Sequence, residues 1–331
     1  MSIQKVAKKA NVSVATVSRA FNFPDQVKPE TRARVERAAL QVDYLPNASA
    51  RSLRTQRSRI LGVVLPTLLN PVFAECLEGV AQAATAAGYA IMPVISEYKT
   101  ALEQRAVNLL LASRVDALVL VVANPSTSLA LKKLIAAQIP YVLAYNEHGS
   151  HPCVYVDSQR AVSELVGKLS ALGHRRIAMV SGELAASDRS QQRYRGFVKG
   201  LKAQKLKQYP LIEVPFVESA TEQICQILRQ KNRPTALVCS NDLLAIRTLR
   251  AAHLSGLHVP NDLTVTGFDG IGIGLDIAPV LSTITQPNHD IGRCSVELIV
   301  QALASGTPLD SGNSVRLDYV FREGQSCAKA A

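Results

Sequence analysis

The sequence predicts a small all-α headpiece with helix-turn-helix spacing, followed by a larger α/β body in which parallel sheets are flanked by helices. Three observations predict this. Residues 1–45 carry apolar residues at helical spacing, interrupted by tight turns. From Ile60 onward, short β-branched runs alternate with Ala/Leu-rich helical stretches, the pattern of a parallel sheet with crossover helices. The body is too long for one such sheet, so two lobes are expected.

The headpiece divides into three helices. Ile3, Val6, Ala7 and Ala10 form the apolar stripe of the first, with Ser2 placed to cap it. Asn11-Val12 is the turn. Ser13 caps the second helix, whose Val17, Ala20 and Phe21 face inward. Lys28-Pro29-Glu30 opens the third, since proline suits the first helical position and an acid suits the helix N-terminus. Its inner face is Val35, Ala38, Ala39 and Val42. Residues 46–59 form a linker with four arginines, in which Asn47 could cap a short helix. So short a helix is marginal alone and is expected to form only against DNA or a partner. In the body, Ile60–Leu65, Ala90–Ile95, Ala117–Val122, Tyr141–Ala144, Ile177–Val180, Ala236–Cys239 and Leu263–Thr266 read as strands.

Charge is placed unevenly. The whole chain of 331 residues carries +11. Residues 1–59 hold four Lys and eight Arg against Asp25, Glu30, Glu36 and Asp43, which leaves little excess for the rest. A basic head on a nearly neutral body implies a polyanionic partner. No apolar run is long enough to span a membrane, and the first residues lack the apolar core of a secretory signal, so the cytoplasm is the expected compartment. The six cysteines are scattered with no C-x-x-C pair, so they read as reduced, mostly core residues, and neither a metal nor a cofactor is expected.

Helix two carries Val12-Ser13-Val14-Ala15-Thr16-Val17-Ser18-Arg19, then Ala20-Phe21-Asn22. Val14, Ala15, Thr16, Ser18 and Arg19 can face outward. In a major groove, an Arg fork pairs with guanine and small apolar side chains meet thymine methyls. Hydroxyls of Ser13, Thr16 and Ser18 suit phosphates. An ordinary surface helix would show the same pattern, so the motif by itself leaves both readings open.

The remaining motifs carry a family resemblance over essentially the whole chain. They are Tyr44-x-Pro46-Asn47 with Ala50-Arg51-x-Leu53, Ile60-Leu61-Gly62-Val63, Asn70-Pro71-x-Phe73, Leu172-Gly173-His174-Arg175-Arg176-Ile177-Ala178, Arg193-x-x-Gly196-Phe197, Ser240-Asn241-Asp242, Val259-Pro260-x-Asp262-Leu263 and Gly267-Phe268-Asp269. With residues 12–19, they make the sequence resemble the LacI/GalR family of bacterial repressors. The resemblance implies a DNA-binding headpiece (1–45), a hinge helix (46–59) and a two-lobed, periplasmic-binding-protein-like body (60–331). The lobes are expected at about 60–157 with 286–315, and 158–285 with 316–331. Val14 and Ala15 then take base-reading positions beside Arg19, and Asn22 is counted among the DNA-binding residues. Leu53 is the residue that wedges a minor-groove step, Ala50 lies beneath it, and Asn47 and Arg51 lie near the backbone.

In the body, the resemblance implies an effector between the lobes. Phe73 supplies an apolar wall, Arg193 a charged fork, Asn241 an amide and Asp269 a carboxylate. Phe73 could equally be core, and Asn241 or Asp269 could cap a loop. Many relatives place an acid where this chain has Tyr145, followed by Asn146. Arg189 falls near the pocket by its spacing from Arg193. The pocket therefore reads as more positive than a neutral-sugar site, and a sugar acid or sugar phosphate is the expected effector. The stretch from Leu65 to Glu75 also resembles gluconate-type regulators of the family. A homodimer on pseudo-palindromic double-stranded DNA is expected, because no heptad helix follows Arg322.

Other classes find less support. Gly270-Ile271-Gly272-Ile273-Gly274 fails the dinucleotide spacing and reads as a flexible loop. The histidines show no metal spacing, His174 reads as a surface-loop residue, and no Ser or Cys sits in a G-x-S-x-G elbow, so no enzyme is expected. A solute-binding protein with a generic basic N-terminal module is the alternative, and the head is what separates the two.

Overall fold

The computed structural model describes residues 2–44, 57–216 and 220–330. The chain divides into two compact units, Met1–Arg59 and Ile60–Ala331.

The first unit contains α1 (Ile3–Ala10), α2 (Val14–Asn22) and α3 (Pro29–Gln41), with a short 3-10 turn at Pro24–Gln26. Its core is small: Val6, Ala7, Ala10, Val17, Ala20, Val35, Ala38 and Ala39, with Phe21 and Tyr44 packed at the edge. Asn11 ends α1 in the left-handed region (φ 50°), returning its N–H to the last turn. Ser13 caps α2 by accepting from Thr16 N at 3.1 Å. Ser2 precedes α1 in extended conformation but makes no side-chain cap bond. The expected cap is therefore absent, and the packing of Val6, Ala7 and Ala10 holds the helix instead.

The second unit has two six-stranded sheets. Lobe 1 is built on β1 (Ile60–Leu65), β2 (Ala90–Ile95), β3 (Ala117–Leu120), β4 (Tyr141–Ala144), β5 (Cys153–Val156) and β11 (Val315–Leu317), in the order β11-β5-β4-β3-β1-β2, all parallel. Lobe 2 is built on β6 (Ile177–Gly182), β7 (Ile212–Val214), β8 (Ala236–Cys239), β9 (Thr264–Asp269), β10 (Ser282–Thr285) and β12 (Val320–Arg322), in the order β12-β10-β9-β8-β6-β7. Here β12 is antiparallel to β10, because it returns from lobe 1 along the sheet edge. β5, β7, β10, β11 and β12 were not legible as strands. Each has only three or four residues, and most lie at or next to a sheet edge, where no continuous apolar run marks them.

Among the described residues, eight helices cover the sheets: α4 (Pro71–Ala86), α5 (Thr100–Ala112), α6 (Leu129–Ala136), α7 (Ser158–Ala171), α8 (Asp188–Ala203), α9 (Thr221–Leu228), α10 (Asp242–Leu254) and α11 (Asn288–Ser305). Each sheet is sandwiched between two apolar cores, so its central strands are buried on both faces, while the edge strands β2, β7, β11 and β12 are partly exposed. The chain crosses between lobes at Asp157, at Gln286-Pro287 and at Asp318-Tyr319.

Two helix pairs pack through glycine. A Cβ at Gly196 of α8 would overlap the Gln159 carbonyl of α7, and one at Gly79 of α4 would overlap the His289 carbonyl of α11. These contacts bring backbones together where a side chain would hold them apart. Gly196→Ala is expected to lower stability by about 1–3 kcal/mol through overpacking. Urea titration checks this, and an unchanged midpoint would show that α7 and α8 yield freely.

Candidate functional site

The headpiece offers α2. Val17 is buried, whereas Ser13, Val14, Ala15 and Arg19 are exposed and Thr16 and Ser18 are partly so. Val14 stands out as an apolar side chain left 42% exposed at the helix start. Ser13 Oγ also lies 2.9 Å from Thr16 Oγ1, so the two hydroxyls form one polar patch at the N-terminus of α2. Asn22 is the last residue of this helix. Asn47, Ala50, Arg51 and Leu53 lie outside the described residues.

The body offers a cavity between its lobes. It lies where the carboxyl ends of β1 and β4 face those of β6, β8 and β9, the usual ligand position in open α/β sheets. Phe73, Tyr145, Arg189, Arg193, Asn241 and Asp269 all line it. Asn70, Val72, Tyr98, Ser187, Ser190, Phe216 and Gln286 complete the wall. Asn70, Ser187 and Ser190 were within reach of the sequence, being adjacent to Phe73 or on the Arg189 turn. Tyr98 and Phe216 were not, because they come from loops after edge strands. Their rings stack across the cleft at 4.4 Å, nearly parallel. The cavity volume is about 20 Å3. The lobes are therefore drawn tightly together, with room for about one ordered water.

Charge in the cavity is buried and paired. Arg193 Nη2 lies 3.1 Å from Asp269 Oδ1, and its guanidinium sits 3.7 Å over the Phe268 ring. Burial pushes the Asp269 carboxyl up to about 6, against the opposing pull of Arg193 and the Asn70 amide. Gln286 Nε2 also donates to Asp269 Oδ1 at 2.9 Å. Asp269 has φ 115°, a strained conformation for a residue with a side chain. Its neighbour Asp242 enforces it: Asp242 Oδ2 accepts from Gly270 N at 2.7 Å and Ile271 N at 2.9 Å. The glycine-rich stretch after Asp269 is thus pinned rather than flexible, and Gly272–Leu275 forms a 3-10 turn. Burial, then the nearby Asp269 charge, raises the Asp242 carboxyl to about 7.

Arg189 is also half committed. Its Nη1 donates to Val122 O at 2.8 Å and lies 3.2 Å from Asp188 Oδ1, while Nη2 is buried with no protein partner. The positive excess read from sequence is therefore reduced, because each guanidinium has a carboxylate beside it. Tyr145 spends its hydroxyl on Val72 O at 2.9 Å, so it offers the cavity mainly its ring edge. Asn241 caps α10 by accepting from Leu244 N at 2.8 Å, as well as lining the cavity. His174 is not on the surface. It is buried between Thr235 Oγ1 and Ala328 O, both at 3.0 Å.

An exposed helix-turn-helix and a body whose lobes close on a polar cavity define a ligand-responsive DNA-binding regulator. Residues 2–47 match the model of bacterial regulatory proteins of the lacI family, and residues 58–317 match that of periplasmic binding proteins and the sugar-binding domain of the LacI family. Catabolite control protein A of Priestia megaterium is 30% identical over 312 residues, covering 93% of this chain and 94% of the relative. The transcriptional repressor CytR of Escherichia coli K12 is 30% identical over 318 residues, covering 94% and 92%. A crystal structure of the lac repressor dimer, bound to operator and an anti-inducer, superposes with a TM-score of 0.88 at 25% identity, covering 100% and 99%. The chain belongs to the LacI family of bacterial transcription regulators.

The two raised carboxyls have a consequence for stability. Asp242 and Asp269 release protons at about 7 and about 6 when folded, against about 3.9 in an unfolded chain. Below about pH 4 both are neutral in either state. Between pH 4 and 7 the folded chain holds protons that the unfolded chain has lost, so their contribution to stability falls as pH rises. Wild type minus Asp242→Asn stability should therefore shrink from pH 5 to pH 7.5 in urea titrations. A constant or growing difference would contradict the burial of a protonatable Asp242.

Proposed function

We propose that this regulator controls an operon for the use of a carbohydrate or sugar acid, most simply as a repressor, and that its ligand is a sugar, sugar acid or sugar phosphate held between the lobes of the body. It acts in the cytoplasm as a homodimer on a pseudo-palindromic operator, since a two-fold dimer reads a two-fold site. Support for the assembly comes from the lac repressor relative, solved as a dimer on operator. The named relatives are regulators rather than enzymes, and no catalytic role is assigned.

The observation that carries the DNA reading is the outward face of α2. With no amide or tyrosine at positions 14 and 15, base reading rests on the Arg19 fork and on methyl contacts from Val14 and Ala15. Ser13, Thr16, Ser18 and Asn22 serve the backbone. Asn47, Ala50, Arg51 and Leu53 take the hinge roles that the family resemblance implies. Arg19→Ala is expected to weaken operator binding about 10- to 100-fold, in line with about 1–3 kcal/mol for a bidentate base contact. Non-specific binding should fall far less. Leu53→Ala should show the same bias, because the wedge serves only the deformed site. Fluorescence anisotropy at fixed salt measures both, and equal losses on operator and random DNA would reject base reading by these residues.

For the ligand, Phe73 and Tyr145 offer apolar edges, and Asn241, Asp269, Arg193 and Arg189 offer directional polar groups suited to hydroxyls. The lining carries two guanidiniums against one carboxylate, Asp269. That balance, with the spare Arg189 Nη2, supports an anionic group on the sugar. Protonation of Asp269 near pH 6 would make the lining more positive. Affinity for an aldonate should therefore rise as pH falls from 7.5 to 5.5, and Asp269→Asn should flatten the profile. Calorimetry checks both. Tight binding of a neutral sugar with no aldonate binding would reject the anionic reading.

A further inference from the structure

The lobes of the body are joined by three chain crossings, yet they are also fastened to each other away from those crossings by a compact set of bonds. On the lobe 2 side these come from the first turn of α8. Asp188 N donates to Ala123 O at 2.8 Å, Arg189 Nη1 donates to Val122 O at 2.8 Å, and Asp188 Oδ1 accepts from Asn146 Nδ2 at 2.7 Å. Gln192 Nε2 adds a longer contact to Glu147 O at 3.4 Å. Every one of these bonds runs from protein to protein.

Both sides are set before they meet. In lobe 1, Asn146 is fully buried and grips the Val122 backbone twice, accepting from its N–H and donating to its carbonyl, each at 3.0 Å. Glu103 Oε2 holds Ala123 by accepting its N–H at 3.0 Å. In lobe 2, Ser187 Oγ caps the turn at Ser190 N, and Asp188 occupies the first position of the helix, where an acid is favoured. The Asn146 amide thus reaches across the cleft with its geometry fixed. Asp188 Oδ2 and Arg189 Nη2 remain buried and unpartnered.

We propose that Asn146 and Asp188 form an inter-lobe clasp that latches the cleft shut through protein atoms, and that Arg189 ties this clasp to whatever anion enters the cavity. Asn146 and Asp188 are positioning residues. Neither lines the cavity wall, and they act by fixing where Arg189 presents its spare Nη2. Arg189 is the link, since one nitrogen holds lobe 1 and the other is available to a ligand oxygen. Only this last link rests on reading the cavity as the ligand site.

The clasp is tested by Asn146→Asp, which sets two carboxylates face to face across the lobes. The charged groups around that point are Glu103 and Glu147 of lobe 1 and Arg189 and Arg193 of lobe 2, with the Cys153 thiol nearby. At pH 7.5 the two carboxylates repel. At pH 5 they can share a proton and restore the bond, as paired carboxylates do. Hydrogen exchange on the full chain, corrected for intrinsic rates, reads the opening directly. At pH 7.5, peptides covering 121–125 and 186–190 should exchange about tenfold faster than in wild type, with strands 61–65 and 177–180 unchanged. The gap should narrow at pH 5. The double variant Asn146→Asp/Asp188→Asn, which restores a donor and an acceptor across the lobes but not the amide bond to Val122 O, should recover protection in part, most clearly over 186–190. Unchanged exchange in the two clasp peptides would overturn the proposal. So would faster exchange across every strand with no pH dependence and no rescue, since that marks a general loss of stability. None of these readouts needs a ligand, so failure of the effector reading would leave them intact.

Discussion

Two parallel sheets facing each other with their carboxyl ends impose the constraint on which the body depends: polar loop residues from both lobes must share one narrow, desolvated gap. Charges placed there survive only if paired and hydrogen-bonded. Arg193 is matched by Asp269 and Arg189 by Asp188, and the carboxyls of Asp188, Asp242 and Asp269 are all pushed upward by burial. Buried ion pairs seldom add much stability. Their value here lies in fixing where each fork points, at the cost of a strained Asp269 and a pinned loop after it.

The same constraint makes the gap responsive. Groups that are satisfied when the lobes meet are satisfied by water when they part, so a few bonds and one small apolar contact set the balance between the two states. Each lobe has a pair of apolar layers, and one of those in lobe 1 takes in Ile271 of lobe 2 with Leu243 and Ile246 packed against it. Opening the cleft must part that apolar contact, the Tyr98–Phe216 stack and the bonds that Asp188 and Arg189 make to Asn146, Ala123 and Val122. A ligand that adds even one strong bond within the gap can then shift the balance.

Much of this was legible in the sequence, and the reasons for the failures are physical. Long strands such as Ile60–Leu65 and Ala90–Ile95 show their β-branched runs, and Ser13 and Asn11 show the helix-turn-helix by local chemistry. Ser2 looked like a cap and is not one, because tertiary packing suffices for α1. Five short strands, β5, β7, β10, β11 and β12, were invisible, since sheet neighbours rather than local preference make them strands, whereas the equally short Tyr141–Ala144 and Ala236–Cys239 show as apolar runs. The six body residues carried over by motif and spacing fall around one cavity. Their partners were beyond reach: nothing local says that Asp188 would meet Asn146, or that Tyr145 would spend its hydroxyl on Val72. His174 was misplaced for the same reason, because its cover comes from residue 328, far along the chain.

The central claim is that a small molecule in the body governs sequence-specific DNA binding by the head. Its most direct test is a titration of the full chain against a panel of palindromic operators at fixed salt, with and without a library of sugars, sugar acids and sugar phosphates. Fixed salt matters because phosphate contacts alone make affinity fall steeply with ionic strength. The account predicts tight binding to one palindrome that one compound abolishes or induces. Weak binding to all sequences alike, unmoved by any compound, would contradict it.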